Sequence, residues 1–570
     1  MPRILVCTFL STAVLGLAAC SPQQPGDAVA GAETCAETDT GIVLPPGFCA
    51  TVFADNLGHT RHMVAGDDGT IYVNSWSGRY FRGRDPAPPG GFLIALRDED
   101  GDGKAESIVR FGPKSEDGAT GGMGIALFDG GLYAEAGPNI VRYAMTPGKP
   151  VPEGEAAVVL SGLALDGDHN MHPIAIDADG NLFVNTGSAT NACQVADRQP
   201  ESPGIDPCRE LETRAGLWRY DARATGQKFS PKERYATGLR NAGGLTIDAE
   251  GSLFATQHGR DQLGQNWPKL FSVEQGAELP AEELMRVQAG DDFGWPYCYF
   301  DGAKKQLMLA PEYGGDGKEQ GLCAGKTPAV AAFPAHMAPM AIAFYHDTAF
   351  PAAYRNGVFV AFHGSWNRAP LPQKGYNVWF QPMANGGVSG EPIIFADGFA
   401  GGYLNPGQSR FRPAGVTVGK DCALYVSDDA RGRIWRITYS GAADAPLAAA
   451  PLPPVIEQTE AALPPPPAGF TTAQIAFGRQ IYLGEEKNGT CAGCHGGDAR
   501  GTSVGPSLVS GEWVHGDGSI DGIANSIREG VAKPRDFTNS VMPPNGGAEL
   551  SADDARSIAA YLYALNHPTG

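Results

Sequence analysis

Charged side chains and long apolar segments are both scarce in this sequence of 570 residues. Lys, Arg, Asp and Glu make up 19 % of the chain, below the ~25 % of an average soluble protein. Basic residues are fewer than acidic ones, 43 against 63, so the net charge is −20. This balance argues against nucleic acid as a partner, because phosphate recognition needs basic surface. A mean hydropathy of −0.20 and a single apolar run near the N-terminus exclude a polytopic membrane protein.

A dinucleotide-binding motif is also missing, since no Gly-x-Gly-x-x-Gly sequence opens a strand–helix unit. Glycine, in contrast, is abundant at 77 residues, roughly twice the usual ~7 %. This composition favours many tight turns over a coiled coil or a helical solenoid. The length indicates more than one domain.

The N-terminus is predicted to be an export signal. Arg3 precedes the apolar stretch Ile4–Leu17, and small residues lead to Cys20, which is the layout of a signal peptide. Leu17-Ala18-Ala19-Cys20 resembles a bacterial lipobox, so we expect a signal peptide over 1–19 and a lipid anchor on Cys20 in the periplasm. Ser21 favours the outer membrane, and residues 20–44 are expected to form a tether. An ordinary signal peptide is the alternative.

Export makes disulfides possible among the remaining cysteines. Cys193 with Cys208 and Cys298 with Cys323 close short loops and are the preferred pairs. The sequence leaves open the pairing of Cys35, Cys49 and Cys422, and because three thiols cannot all pair with one another, at least one of them is expected to be free.

One short pattern, a polar turn followed by an alternating apolar strand, recurs through residues 45–440. An Asp-Gly turn next to alternating apolar residues is typical of a β-hairpin. The six copies lie at residues 67–73, 129–133, 177–183, 248–254, 356–360 and 420–426. This spacing predicts an all-β, six-bladed β-propeller. The wide gap between the fourth and fifth copies indicates either long loops or a different blade count.

A change of composition marks the end of the propeller. Residues 441–469 are rich in Ala and contain eight prolines, including Pro464–Pro467. Such a segment favours polyproline II and acts as a semi-rigid spacer. We therefore expect a linker over 441–469 and a separate small domain over 470–570.

The C-terminal domain carries the sequence Cys491-Ala492-Gly493-Cys494-His495. Two thiols at this spacing form thioethers to haem, and the following His495 ligates the iron. Met542, in a Pro-flanked segment, is the expected sixth ligand, which raises the haem potential; His515 is the alternative. Helices are predicted over 473–483 and 551–565. The domain looks like a small all-α class I cytochrome c that binds haem c.

Six motifs lie next to the strand signals of the propeller. In chain order they are Asp168-His169, Gly238-Leu239-Arg240-Asn241, Gln257-His258-Gly259-Arg260-Asp261, Gly294-Trp295-Pro296-Tyr297-Cys298, His363-Gly364-Ser365-Trp366-Asn367-Arg368 and Arg410-Phe411-Arg412. With them the propeller resembles the soluble pyrroloquinoline-quinone (PQQ) dehydrogenases of glucose, other aldoses and L-sorbosone. That family consists of six-bladed propellers, binds PQQ next to Ca²⁺, and oxidises sugars.

The resemblance implies a role for each matching residue. The resemblance implies that His169 is the catalytic base and that Asp168 polarises it. It implies that Arg240 and Asn241 contact the quinone and that Arg410 and Arg412 contact the cofactor carboxylates. The carbonyls of Gly259 and Arg260 would ligate Ca²⁺. Guanidinium groups suit the three carboxylates of PQQ, and a His suits removal of a hydroxyl proton. The family's cofactor lysine has no match, and Arg368 and Lys374 are the candidates.

Two departures from known patterns concern binding rather than reaction class. The family's Gln-Asn-Gly-Leu segment reads Gly121-Gly122-Met123-Gly124 here, which removes a side-chain contact. The loop 98–103 has Asp at positions 1, 3 and 5 of a calcium loop, but Val109 stands where the Glu at position 12 is expected. A structural Ca²⁺ and a plain acidic turn both remain open.

Together these features predict a periplasmic dehydrogenase that oxidises an aldose or sugar aldehyde. Its electrons would pass through haem c to a periplasmic or membrane-bound respiratory acceptor. One alternative is a propeller that holds another redox cofactor; the lack of a second Cys-x-x-Cys-His weakens it. The other is a carbohydrate-binding propeller with a relay cytochrome and no PQQ chemistry.

Overall fold

The computed structural model describes residues 35, 40–75, 89–114, 121–369, 371–404, 409–453, 463–501, 505–511, 513–532 and 541–567. The predicted signal peptide, the lipid site Cys20 and most of the predicted tether lie outside these residues. None of the helices in the described part of the chain is long and apolar enough to cross a membrane.

Six four-stranded antiparallel sheets form the blades of a propeller, as the sequence predicts. Blade 1 contains Thr60–Ala65, Ile71–Ser75, Leu93–Arg97 and Ser107–Phe111. Blade 2 contains Ile125–Phe128, Gly131–Ala136, Asn139–Ala144 and Ala157–Ser161, and Gln227–Lys228 adds to its edge. Blade 3 contains Ile174–Ile176, Asn181–Thr186, Gly216–Asp221 and Arg234–Thr237. Blade 4 contains Leu245–Ile247, Leu253–Gln257, Glu282–Val287 and Ala331–Phe333. Blade 5 contains Pro339–Tyr345, Gly357–Phe362, Asn377–Gln381 and Ile393–Ala396. Blade 6 contains Pro413–Val418, Leu424–Asp428, Ile434–Tyr439 and the N-terminal strand Phe48–Ala54.

Each of the six repeated sequence signals lies at the turn between the first and second strands of a blade. An Asp side chain holds several of these turns. In blade 3, Asp177 Oδ1 accepts the backbone N–H groups of Asp179 and Asn181 at 3.0 and 2.8 Å. Because this bond is local, the motif could be read from the sequence, and the blade count of six is confirmed.

The irregular spacing between the fourth and fifth signals comes from an insertion in blade 4. It contains the hairpin Cys298–Asp301 and Gln306–Leu309, and the disulfide Cys298–Cys323 closes it. The predicted Cys193–Cys208 disulfide is also present. Cys35 pairs with Cys49, and Cys422 is disulfide-bonded as well, so none of the three is the expected free thiol.

The ring closes where the first strand joins the last blade. Phe48–Ala54 pairs antiparallel with Ile434–Tyr439, with Phe48 opposite Tyr439. The Phe48 ring is buried at 5 % exposure and packs edge-on against Phe350 and Phe395 at centroid distances of 4.8 and 4.9 Å. The closing strand is therefore fixed by both hydrogen bonds and an aromatic core.

The first part of the predicted linker packs on the propeller. The Tyr354 hydroxyl donates to the Ala448 carbonyl at 2.9 Å, and the Ala450 N–H donates to the Ile394 carbonyl at 2.8 Å. The expectation of a spacer along all of 441–469 is therefore wrong for this part. Its alanines leave the backbone accessible to blade 5.

The C-terminal domain consists of short helices around a small apolar core. The α-helices are Thr472–Leu483, Cys491–His495, Ile520–Glu529 and Ala552–Asn566. Thr471 and Ser551 cap the first and last of these through capping boxes, so both predicted helices are confirmed. The propeller itself contains the short helices Leu263–Asn266 and Val273–Glu278.

Replacing the closing aromatic should destabilise the propeller. We expect Phe48→Ala to lower the free energy of unfolding by about 3–5 kcal/mol, because it removes a buried ring and leaves a cavity. Chemical denaturation followed by tryptophan fluorescence measures this. The control is Ile108→Ala, whose side chain is 46 % exposed and whose effect should stay within about 0.5 kcal/mol. Equal effects of the two substitutions would contradict the role of Phe48 in closure.

Candidate functional site

A polar cavity of about 200 Å³ lies where loops from all six blades converge. The lining side chains come from loops that precede the first strand or follow the second strand of a blade, and from the start of blade 1. Six of the residues to which the resemblance gives a role line this cavity: Asp168, His169, Arg240, Asn241, Gly259 and Arg412. Six more from the same motifs line it as well: His258, Asp261, His363, Gly364, Trp366 and Asn367. These residues are far apart in the sequence, and they meet because closure of the ring brings the loops of all six blades to its centre.

His169 is held as a neutral base. Its Nδ1 lies 3.0 Å from the carbonyl oxygen and 3.0 Å from Oγ of Ser188. Ser188 Oγ donates its own hydrogen to the Thr190 carbonyl at 2.7 Å, so both neighbours of Nδ1 act as acceptors. The proton therefore sits on Nδ1, and Nε2 keeps its lone pair. Burial, helped by the positive charge of Arg240, lowers the pKa of His169 well below its usual value.

Asp168 has a different partner from the one expected. Its carboxylate pairs with Arg198 at 2.8 Å, and Ser188 makes the contact that orients His169. The predicted polarisation of His169 by Asp168 is therefore replaced by hydrogen bonds to Ser188. Arg198 also forms a salt bridge with Asp261 at 3.2 Å, and Asp261 forms a second one with Arg240 at 3.0 Å. The two arginines hold the pKa of Asp261 far below its usual range, against the effect of burial.

Arg240 and Asn241 form the wall next to this network. Arg240 donates to the carbonyl of Gly259 at 2.9 Å and to Asn191. Asn241 Nδ2 lies 3.1 Å from Nδ1 of His258. The Gly259 N–H donates to the carboxyl of Glu282 at 3.0 Å, and burial raises the pKa of Glu282 to about 8. The second predicted Ca²⁺ ligand, Arg260, pairs through its side chain with buried Glu312.

A second charged cluster forms the opposite wall, and sequence reasoning missed most of it. Asp429 accepts from Arg61 at 2.9 Å and from His363 at 2.7 Å. Arg412 donates to the carbonyls of His363 and Gly364 at 3.1 and 3.3 Å. Arg61 comes from blade 1 and Asp429 from blade 6, so no local motif could have indicated the pair. His363 lay in a motif quoted above, but without an assigned role.

Three predicted cofactor residues lie away from the cavity. Arg410 is exposed and stacks over Phe411 at 5.1 Å. Arg368 is fully buried and donates to the carbonyls of Ala277 and Ala335. Lys374 lines a separate surface pocket, near Glu278 at 3.8 Å. Of the two predicted carboxylate contacts, Arg412 therefore lines the cavity and Arg410 does not. Neither candidate for the cofactor lysine, Arg368 or Lys374, lines it, and Arg61 and Arg198 supply guanidinium groups there instead.

The cavity wall suits a ligand that carries several negative charges and that both accepts and donates hydrogen bonds. Within the described residues, two of the five N–H donors of Arg412 are engaged. Across the described part of the chain, Oδ1 of Asn367 has no hydrogen-bond partner although it is buried, and this side chain also lines the cavity. A buried acceptor without a partner is costly unless a ligand or water meets it. These features fit a cofactor with carboxylates and a ring N–H, such as PQQ.

The acidic loop of blade 1 stays a separate question. Asp98, Asp100, Asp102 and Glu106 place ligand oxygens within 4.8 Å of one another. Asp98 already accepts the N–H groups of Gly101 and Gly103, at 2.6 and 2.8 Å. The loop is thus stabilised by its own backbone, and Ca²⁺ binding there stays a prediction.

A second cavity lies in the C-terminal domain and is mainly apolar. Cys491, Cys494 and His495 line it together with the two candidate ligands Met542 and His515. Nδ1 of His495 lies 2.9 Å from the carbonyl of Pro506, which leaves Nε2 for a metal. Met542 is held by backbone hydrogen bonds with Val531. Covalently bound haem fits these features, which are a buried thiol at Cys491, a half-buried thiol at Cys494, an oriented imidazole and an apolar wall.

The two cavities meet at the helix that carries the haem motif. Gly493, between the two cysteines, lines the central cavity of the propeller. Gln262 of the propeller lines the haem crevice. Burial raises the pKa of the Cys494 thiol to about 12, and Arg198 and Asp261 are among the charges that act on it. The haem motif therefore lies directly over the mouth of the central cavity.

Fold and site define a six-bladed propeller with an arginine-rich central cavity, joined to a cytochrome c domain. The TrAA12-like family matches residues 42–440, and the family "Cytochrome C oxidase, cbb3-type, subunit III" matches residues 473–562. The chain belongs to the TrAA12-like family. The resemblance to PQQ-type sugar dehydrogenases and to cytochrome c is thereby confirmed at the level of families.

Solved structures show the same propeller fold. The structure of Trichoderma reesei Carbohydrate-Active Enzymes Family AA12 with iodide has a TM-score of 0.56 at 18 % identity and covers 70 % of this chain and 98 % of its own. The holo form of the Pyranose Dehydrogenase PQQ domain from Coprinopsis cinerea has a TM-score of 0.53 at 19 % identity, and covers 70 % and 97 %.

Curated relatives match only parts of the chain. An uncharacterized protein of Borreliella burgdorferi is 27 % identical over 279 residues, 48 % of this chain and 61 % of its own. The cbb3-type cytochrome c oxidase subunit CcoP of Rubrivivax gelatinosus is 32 % identical over 92 residues, 16 % and 26 %. The chain thus spans less than two thirds of the length of these relatives.

Asp261 should be a main source of stability in the propeller. We expect Asp261→Asn to lower the free energy of unfolding by about 3–5 kcal/mol, because it leaves two buried guanidinium groups short of a counter-charge. The native pKa of Asp261 is depressed, so its contribution is present above the unfolded pKa of ~3.9 and is lost as the pH falls. Denaturation curves at pH 7 and pH 3.5 should therefore show a smaller difference at the lower pH.

The control for this substitution is Glu153→Gln. The Lys149–Glu153 pair is 56 % and 62 % exposed, so its loss should cost less than about 1 kcal/mol at either pH. A cost for Asp261→Asn as small as that of the control would show that the buried network does not depend on this carboxylate.

The sixth haem ligand can be identified from the reduction potential. If Met542 ligates the iron, Met542→His should lower the potential, because a His/Met pair holds iron at a higher potential. The variant His515→Ala should leave it unchanged. Redox titration of the haem absorption measures both, and the opposite pattern would assign the ligand to His515.

Proposed function

We propose that this protein is a PQQ-dependent dehydrogenase that oxidises an aldose or a sugar aldehyde of the sorbosone type. In this proposal it is a periplasmic lipoprotein held through Cys20 on the outer membrane, and it hands electrons to a periplasmic or membrane-bound acceptor. The observation that carries the reaction class is the half-buried His169, whose Nδ1 is bonded to Ser188 and whose Nε2 is available in an arginine-lined cavity next to the haem motif.

Binding would rest on the guanidinium groups. Among the described residues, two of the five N–H donors of Arg412 meet an acceptor, and Arg61, Arg198 and Arg240 add positive charge around the same space. Charge-assisted bonds to carboxylates are stronger than neutral ones, and the buried Oδ1 of Asn367 would accept from a cofactor N–H. Ca²⁺ belongs to the proposal at Gly259, where the carboxyls of Glu282 and Asp261 lie in the same cavity wall.

His169 would act on the substrate hydroxyl. When bound, PQQ supplies a two-electron acceptor for the carbon-bound hydrogen of the sugar. His169 takes the hydroxyl proton on Nε2 while Nδ1–H stays bonded to Ser188, so the imidazole does not rotate during the transfer. Burial lowers the pKa of His169, which keeps it unprotonated and ready at neutral pH.

The test uses the full-length holo-cytochrome in its oxidised form. We expect the haem α-band to appear only when PQQ, Ca²⁺ and a substrate from a panel of aldoses and sugar aldehydes are all present. The variant His169→Ala should lose at least about 100-fold in the rate of haem reduction, because general base catalysis contributes ~10²–10⁴-fold. The control is His346→Ala, because His346 is exposed and lies outside the cavity.

Two results would contradict the proposal. If PQQ fails to bind and every sugar leaves the haem oxidised, the propeller is a carbohydrate-binding module with a relay cytochrome. If His169→Ala reduces haem as fast as the control, another group removes the proton.

A further inference from the structure

Trp366 belongs to both functional regions of the molecule. It follows the second strand of blade 5 and lines the central cavity. The same residue lies against Gly493, the middle residue of the haem motif. A β-carbon placed on Gly493 would lie 2.5 Å from the carbonyl oxygen of Trp366 and 2.8 Å from its ring atom Cε3. Only glycine fits this contact without a shift of the backbone.

Two looser contacts lie near this point. A β-carbon on Gly484 would lie 3.7 Å from Cβ of Ala369, and one on Gly547 would lie 3.5 Å from Cβ of Gln265, which are ordinary van der Waals distances. The cytochrome domain therefore touches the propeller at three glycines, and at Gly493 the close approach leaves no room for a side chain.

We propose that Trp366 is the bridge by which electrons leave the central cavity for the haem. This inference rests on the proposed function. Oxidation of one sugar hydroxyl to a carbonyl releases two electrons and two protons. The single haem accepts the electrons one at a time, each reducing Fe(III) to Fe(II), and an external one-electron acceptor reoxidises it between transfers. One proton leaves through His169 and the other goes to solvent.

A second connection exists and is the rival route. Gln262 lines the haem crevice, its Oε1 accepts from Arg198 at 3.1 Å, and Arg198 pairs with Asp168 at the cavity. Because Arg198 itself lines the cavity, that route passes through two saturated side chains and one hydrogen bond. Trp366 connects the cavity to Gly493, the direct neighbour of Cys494 in the haem crevice. Its indole offers delocalised π orbitals for electron tunnelling. The contact geometry therefore favours Trp366.

The experiment compares two electron outlets in the full-length holoenzyme. One rate is haem reduction by the sugar that reduces the wild-type protein, measured by stopped-flow absorbance. The other is reduction of a small soluble dye that takes electrons from the cavity itself. We expect the ratio of haem rate to dye rate to fall at least about tenfold in Trp366→Ala, and less in Trp366→Phe, which keeps an aromatic ring.

Two controls separate the bridge from other roles. Trp379→Phe alters an indole that packs on Phe333 and Phe362, and it should leave the ratio unchanged. Gln262→Asn shortens the side chain by one methylene group, which interrupts the rival route at its hydrogen bond to Arg198, and it should also leave the ratio unchanged. If Trp366 only shapes the cavity, both rates fall together and the constant ratio overturns the proposal. A ratio that falls in Gln262→Asn but not in Trp366→Ala overturns it in favour of the rival route.

The docking itself has a test that needs no substrate. The double variant Gln265→Cys/Gly547→Cys would have β-carbons 3.5 Å apart, a separation suited to a disulfide. Mild oxidation should form this bond in the holo-protein, as detected by mass spectrometry of the linked peptides, with each single variant as control. Failure to cross-link in a double variant that keeps the wild-type haem spectrum would overturn the docked arrangement on which the Trp366 contact depends. Failure of every sugar to reduce wild-type haem would instead overturn the proposed function.

Discussion

Pairing of buried charges at the centre of the ring is the constraint on which the rest of the site depends. Four guanidinium groups lie at the cavity, and a buried charge is tolerated only with a counter-charge. Asp261 meets Arg198 and Arg240 on one wall, while Asp429 meets Arg61 and His363 on the other. Because Asp429 joins blades 6, 1 and 5, the same pairs that keep the site charged also tie the blades together.

The cavity is positive inside a protein whose net charge is −20. A small concave region of opposite sign, walled by low-dielectric protein, focuses the field on its contents. An anionic cofactor is thus favoured at the centre, whereas a neutral sugar gains little from this field. Recognition of a neutral substrate would depend on hydrogen bonds and shape, which belong to loops rather than to the ionic framework.

Features held by local contacts could be predicted from the sequence, and features made by distant contacts could not. Four of the six turns contain an Asp bonded to a backbone N–H two to four residues away. Cys491 to His495 likewise form one helical turn. Arg61 and Asp429 are 368 residues apart, so nothing in the local pattern joins them. In the sequence, Arg410 and Arg412 look equivalent, because they lie two residues apart in one motif. However, Arg410 precedes the strand that starts at Pro413, and its side chain turns outward onto Phe411.

The closing strand and its partner are also made at very different times during translation. Phe48–Ala54 is among the first strands to be made, and its partner Ile434–Tyr439 follows roughly 380 residues later; at ~5–20 residues per second, roughly 20–80 s pass between them. Throughout that interval the first strand lacks its neighbour, because the other three strands of blade 6 are made last. An unpaired edge is a template for association with other chains. The first strand therefore has to be kept from pairing with other chains until the last blade is made.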